Sequence, residues 1–190
     1  TVALAAPFAG LLAFLVRLPL GIGLTVAVKR ALIGRYVPTR APVWGSFHVR
    51  HWMVVTAAQS IPWRWIEGTP LLPVVLRRLG ADIGHRVYIH RGVDLQRGGW
   101  DLLTIGDDVT LAQDCGVRLI ELDDGQIVVG RIRVECGATL DVRAGLSPDT
   151  VVGSGSHLTP LSWLPPGGRM DEYEQWCGVP AARCGTPPSV

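Results

Sequence analysis

Aliphatic residues recur every sixth position between residues 80 and 165, and no other feature of the sequence constrains the fold as strongly. The anchors form three phased blocks: Ile83, Ile89 and Leu95; Ile105, Leu111 and Val117; then Val128, Val134, Leu140, Leu146, Val152, Leu158 and Leu164. Four places after an anchor the residue is usually small or β-branched, as at Val87, Val93, Val109, Cys115, Ala138, Ala144, Thr150, Ser156 and Ser162. A period of six fits neither an α-helix at about 3.6 nor an alternating strand at about 2. It fits a solenoid with three short flat sides per turn, each side burying one large and one small residue. Eighteen residues per turn give about four to five coils, which need capped ends. An ordinary β-sandwich is the alternative, but its turns have no reason to keep six-residue phase. The phase breaks at residues 97–104, containing Gly98, Gly99, Trp100 and Asp101, and at residues 119–127, containing Glu121, Asp123, Asp124 and Gly125. Both read as loops bulging from a regular coil.

The charge is divided to match. Residues 1–66 hold seven Lys or Arg and no Asp or Glu, while the rest holds eleven basic and sixteen acidic residues, so a net +2 is +7 followed by −5. The larger, acidic region lacks a basic stripe, which argues against nucleic-acid binding. From Val2 to Val28 the only charge is Arg17. A helix of that length spans roughly 40 Å against a hydrocarbon core of about 30 Å, so one tilted or kinked transmembrane helix fits. Pro7, Pro19, Gly21 and Gly23 suit a membrane span better than a soluble helix. Lys29, Arg30, Arg35 and Arg40 follow, a basic cluster of the kind that stays cytoplasmic.

A signal peptide would need a basic n-region, and the chain begins at Thr1 rather than Met, as a segment of a longer polypeptide would. A buried helical hairpin with residues 18–28 as its second arm is the other reading. Arg17 is costly mid-span unless it snorkels or faces other protein, in which case further helices lie outside this segment. Trp44, Trp52, Trp63 and Trp65 stand among Arg and Pro residues, as at a membrane interface or in a small helical cap. His48, Arg50 and His51 suggest a metal or catalytic site, but no third ligand lies nearby, which favours a helix-surface or headgroup-facing role. The expected division is a transmembrane helix at 1–30, a connector and cap at 31–80, the β-helix at 81–165 and a capping tail at 166–190.

Handedness does not follow from periodicity. The stretches IGHRVY, IGDDVTLAQDCG and VECGATLDVRAG resemble the hexapeptide repeat of left-handed parallel β-helix acyltransferases. More narrowly, LIGRYVPTRAPVWGSFHVRHW, GTPLLPVVLRRLGADIGHRVYI, LLTIGDDVTL and WCGVPAAR resemble the membrane-embedded terminal part of the ε-poly-L-lysine synthetase type of nonribosomal peptide synthetase, over residues 29–183. The resemblance implies an all-β solenoid, a left-handed parallel β-helix preceded by a transmembrane helix and a short helical cap, on the cytoplasmic side of a bacterial inner membrane. It implies a condensation-like domain that joins carrier-bound aminoacyl thioesters to an amine. The donor would be the phosphopantetheine arm of a carrier domain, with no metal. The implied partners are adenylation and carrier domains of the same polypeptide and sibling β-helix domains forming a pseudo-trimer.

Such a reaction needs a base for the amine proton and donors for the oxyanion. Many hexapeptide acetyltransferases carry a catalytic His in a protruding loop, but the corresponding loop here, RLIELDDGQ, holds Glu121, Asp123 and Asp124 and no His. Either a carboxylate serves, a His elsewhere serves, or the copy is a scaffold completing a neighbour's site. Asp107 and Asp108 at a coil corner, with His85 and His90, form the nearest acid/base constellation, against turn chemistry for the aspartates and plain exposure for the histidines. His157 is a weaker, outward-facing candidate. Cys115, Cys136, Cys177 and Cys184 fit no zinc template; Cys115 reads as a buried thiol, and a Cys177–Cys184 crosslink does not suit a cytoplasmic site. A peptide-bond-forming domain, a non-catalytic scaffold copy and a free-standing acetyltransferase using acetyl-CoA are the three candidate functions.

Overall fold

A computed structural model describes the backbone of residues 2–187 and the side chains from Gly10 onward. Four helices come first: α1 (Val2–Leu32), α2 (Ser46–Ala58), α3 (Trp63–Ile66) and α4 (Leu71–Leu79). From Asp82 the chain winds through short strands that stack into three ladders. On the first face Ile83 pairs with Ile105, Ile105 with Val134, Val134 with Val152 and Val152 with Met170, all parallel. The second face stacks Ile89, Leu111, Leu140, Leu158 and Trp176. The third stacks Val117, Leu146 and Leu164.

The last two steps on the first face each advance eighteen residues, three hexapeptides. The earlier steps advance twenty-two and twenty-nine, so the two phase breaks are insertions of four and eleven residues into otherwise regular coils. Twelve of the thirteen anchors are buried on the prism axis, 6% exposed or less. Val128 is the exception: it belongs to an antiparallel hairpin of strands Ile120–Asp123 and Gln126–Val129, which fills the second insertion. The small positions are buried too, apart from half-buried Val87, and their hydroxyls are satisfied, for example Ser156 Oγ donating to the Asp171 carbonyl at 2.6 Å. Cys115 is buried, and burial pushes its thiol up to about 12. All four cysteines are free thiols.

At the corners the backbone enters the left-handed region, every sixth residue from Gly137 to Tyr173, and these residues stack: Arg86, Asp108, Gly137, Gly155 and Tyr173 form one such column. Parallel pairing continues past residue 165, through Arg169–Met170 and Gln175–Cys177, so the coil is longer than the periodicity alone marks it. Ala182–Gly185 then folds back antiparallel on the second face and closes it. The sheets are therefore mixed rather than wholly parallel.

The N-terminal helices are fixed to the prism at the two insertions. In the first, Asp101 receives both Lys29 Nζ, at 2.7 and 2.8 Å, and the Tyr36 backbone N–H at 3.1 Å, while Trp100 is wholly buried and donates to the Leu95 carbonyl. Gly80 ends α4 in the left-handed conformation, and a Cβ there would lie 2.5 Å from Asp101 Oδ1 and 2.8 Å from Lys29 Nζ. Only glycine satisfies both the turn and that approach. In the second insertion, Thr39–Pro42 adds antiparallel to the second hairpin strand, Gln126–Val129, which thereby becomes the central strand of three.

Helix α1 is one continuous helix, not a hairpin. Its segment Gly10–Leu32, with a mean hydropathy of 2.2, is long and apolar enough to cross a membrane. Gly21, Thr25 and Lys29, four residues apart, face the other helices, while Leu11, Leu12, Leu15, Val16, Leu20 and Leu24 are exposed. Arg17 does face protein, but within this chain: its Nε donates to the Ser60 carbonyl at 3.2 Å. Lys29 is not a free member of a basic cluster; it is 5% exposed and paired. The tryptophans divide: Trp63 packs in the helical cap with its Nε1 on the Ala58 carbonyl, while Trp44, Trp52 and Trp65 are exposed.

Candidate functional site

The hairpin, helix α2 and the third face enclose a cleft of about 500 Å³ lined by His48, His51, Arg97, Arg118, Glu121 and the apolar Ile120, Leu122 and Ile127. His48 and His51 lie three apart on α2 and so share a helix face. That face is turned to the prism rather than to a headgroup layer, and His51 is only 9% exposed. Its Nδ1 lies 3.0 Å from the Tyr36 hydroxyl. Burial, with a smaller contribution from His48, lowers the His51 pKa to about 4, so the ring is neutral at physiological pH. Burial and the Asp101 charge raise Tyr36 well above the ordinary phenol range, which keeps its hydroxyl protonated. His48 stacks on Trp44 and accepts the Trp44 backbone N–H at its Nδ1.

Glu121 enters the cleft from the first hairpin strand, held by Ser147 Oγ at 3.3 Å and Arg118 Nη1 at 3.5 Å. Ser147 in turn accepts Trp163 Nε1 at 2.8 Å, and the Arg118 guanidinium lies 4.4 Å above the Trp163 ring. The ring covers the third face because residue 145 is glycine: a Cβ there would fall 2.0 Å from it. A carboxylate, neutral imidazole and two guanidinium groups thus line one cavity. Together they offer a proton acceptor, a place for an ammonium and donors for a developing oxyanion.

The sequence-derived candidates scatter. Of the six, only Glu121 lines this cleft. Asp108 sits at a corner with φ +58°, clasped by Arg86 of the preceding coil through two contacts of 2.6 Å, and that guanidinium holds its carboxyl below the usual carboxylate range. Asp107 accepts the His85 backbone N–H. His85 is exposed, in a separate cleft beside Thr69 and Arg77. His90 is not freely solvated as an outward position would be: its Nδ1 is buried without a partner, and its ring meets Tyr88 edge-on. Asp124 is exposed at the hairpin tip, with φ +43°. Asp123, one residue earlier, is exposed too. His157 is half-buried, with Nε2 3.3 Å from Asp141. His51, set aside from sequence as a helix-surface residue, lines the cleft together with Arg97 and Arg118, and Ser147 and Trp163 stand behind them; nothing in the sequence marks the latter four as site residues. The i, i+3 spacing of His48 and His51 was the one signal available for the histidines; the rest depends on which coil stacks on which. Among the described residues no three His, Cys, Asp or Glu side chains converge as a metal site.

No family model matches the sequence. The chain is 30% identical over 162 residues to a delta-poly-L-ornithine synthetase of Acinetobacter baumannii strain AB307-0294; the match covers 85% of this chain and 12% of that protein's length. Among solved structures, a maltose O-acetyltransferase from Clostridium difficile 630 superposes with a TM-score of 0.53 at 12% identity, over 85% of this chain and 97% of that one. A hexapeptide-repeat acetyltransferase from Vibrio cholerae, solved with acetyl coenzyme A, gives a TM-score of 0.47 at 13% identity, over 62% of this chain and 76% of that one. The chain therefore shares the fold of that maltose O-acetyltransferase, a left-handed parallel β-helix, and carries an N-terminal apolar helix and a helical cap.

Proposed function

We propose that this chain is the acyl-transfer module of a membrane-bound synthetase of the ε-poly-L-lysine synthetase type, joining carrier-bound aminoacyl thioesters to an amine. The similarity to a poly-ornithine synthetase across 85% of the chain carries this reading. In the reaction the amine nitrogen attacks the thioester carbonyl, an oxyanion forms, and its collapse expels the thiolate, which takes up the proton released by the amine. The apolar wall of Ile120, Leu122 and Ile127 suits the extended arm of a phosphopantetheine donor. Glu121 holds the acceptor's ammonium and takes the proton it loses before attack, the second proton going to the departing thiolate; the neutral His51 orients the acceptor by hydrogen bonding, and Arg97 or Arg118 faces the oxyanion. The exposed leucines of α1 meet lipid, and Arg30, Arg35 and Arg40 keep the prism on the cytoplasmic side of the inner membrane. Sibling prisms of the same polypeptide complete a pseudo-trimer.

The test is the intact synthetase with Glu121→Gln and His51→Gln. Loading of the carrier should persist while chain formation falls about 100-fold. Unchanged product length and rate in both variants would leave a scaffold copy. The acetyltransferase fold favours one further reading, and saturable acetyl-CoA turnover by this segment alone would establish it instead.

A further inference from the structure

Outside the cleft, the first face of the prism carries a second concave surface whose chemistry nothing above uses. Two adjoining hollows, of about 520 and 650 Å³, share Arg131 and Arg133 and form one trough between the connector at Val37 and Pro38 and the outward side of the ladder. Register places Thr104, Arg133, Val151 and Arg169 in a single outward column. At roughly 4.8 Å per rung, Arg133 and Arg169 stand about 10 Å apart along the coil axis. Arg35 and Arg131 flank the column, and all four guanidinium groups are exposed.

Their partners do not balance them. Among the described residues Arg35, Arg131 and Arg169 make no ion pair, and Arg133 has one contact of 3.7 Å with Glu135. Of the other carboxylates of the trough, Asp101 is matched by Lys29, while Asp149 accepts the Arg131 backbone N–H and keeps its charge, so four guanidinium groups face two uncancelled carboxylates, Glu135 and Asp149. Three arginines of the acidic region, Arg131, Arg133 and Arg169, meet Arg35 of the connector in one hollow with an apolar strip, Val37, Pro38 and Val151, along it. Arginine is the side chain suited to binding phosphate through paired N–H donors. We propose that this trough binds the phosphate ester of an elongated, partly apolar ligand, with Arg131, Arg133 and Arg169 on the phosphate and the Val37–Pro38–Val151 strip against its chain. This site does not depend on the chemistry assigned to the Glu121 cleft.

Two sources share that chemistry: a soluble phosphate carried on a pantetheine arm, and the phosphate of an anionic lipid beside α1. The probes are coenzyme A, with phosphate-free pantetheine as its control, and phosphatidylglycerol in mixed micelles, with phosphatidylcholine as its control. Each is titrated into the intact protein, its Arg131→Gln/Arg169→Gln double variant and Arg143→Gln, which alters a corner cation paired with Asp114. Saturable binding of either phosphate probe, weakened about tenfold in the double variant and unchanged in Arg143→Gln, supports the site, and the probe that binds names the source. Binding of both probes that is indifferent to Arg131 and Arg169, or absent, overturns it. Should the double variant misfold, phenylglyoxal modification of Arg131 and Arg169 in the unaltered protein gives the same answer, since a bound phosphate must slow it. Loss of this binding with chain formation intact would leave the function of the Glu121 cleft standing, and the reverse result would separate them equally well.

Discussion

The prism and the helices in front of it are stabilised in different ways. Each coil of the prism rests on its neighbours through backbone pairing and a column of buried aliphatics, so its interactions repeat and no single contact defines it. The helices are joined to it by a few unlike contacts between residues far apart in sequence: Lys29 and the Tyr36 backbone N–H with Asp101, and Thr39–Pro42 with the hairpin. Periodic sequence therefore builds the scaffold, and interruptions of the period attach something to it. The candidate cleft lies at one of these attachments.

The Lys29–Asp101 pair should be the most sensitive point of that division. Asp101→Ala leaves a buried ammonium without its partner, a loss of about 3–5 kcal/mol. Because the loss falls at the junction, the helices should separate first. Limited proteolysis should open the connector at 33–45 while the β signal in circular dichroism keeps its melting temperature. Lys29→Met/Asp101→Leu, which removes both charges, should recover most of the difference. Unaltered protease resistance in Asp101→Ala would mean that the helices are held by apolar packing instead.

The complementary change is Leu140→Ala, in the middle of the second face and wholly buried. It should cost about 2–5 kcal/mol, the transfer loss plus an unfilled cavity. Here the melting of the β signal itself should fall, with the connector no more sensitive to protease than before at temperatures below the transition. Simultaneous loss of both would show that prism and helices unfold as one unit.

A pH dependence should sharpen the comparison further, because it belongs to the junction alone. His51 is held near pKa 4 in the folded protein against about 6.5 unfolded. Between those values the unfolded chain binds the extra proton, so stability is complete above pH 6.5 and is lost as pH falls towards 4. From pH 7 to pH 5 the loss should be about 2 kcal/mol, measured as a shift in denaturant midpoint, and His51→Gln should lack that share of it.

Much of the prism could be read from sequence because stacking turns bury the same position six residues later, a demand that leaves a visible period. Val128 shows the limit. It falls in phase with Val134 yet lies in the hairpin, since a strand inserted between coils also buries aliphatics. The cleft was far less legible: Glu121 was identified, but His51, Arg118, Ser147 and Trp163 come from a helix and three different coils. Their meeting depends on insertions of four and eleven residues that shift which coils are level. The buried face of α2 was missed because a histidine held against Tyr36 has the same composition as one facing lipid headgroups.

The smallest effect tests a residue rather than a region. The hairpin turns through Asp124 and Gly125, with φ of +43° and +70°, the two-residue loop in which Asp-Gly supplies the positive φ values that match strand twist. No atom lies within 4 Å of a Cβ added at Gly125, so Gly125→Ala meets only backbone strain, about 1 kcal/mol. Asp124→Asn keeps a side chain that tolerates the left-handed conformation and should leave stability within about 0.5 kcal/mol. If Asp124 serves only the turn, the Asn variant of the intact synthetase should also form product within about twofold of the unaltered rate. A loss of the size expected for Glu121→Gln would instead bring the hairpin tip into the chemistry. The loop would then be both an attachment for the N-terminal strand and a catalytic arm reaching beyond this prism.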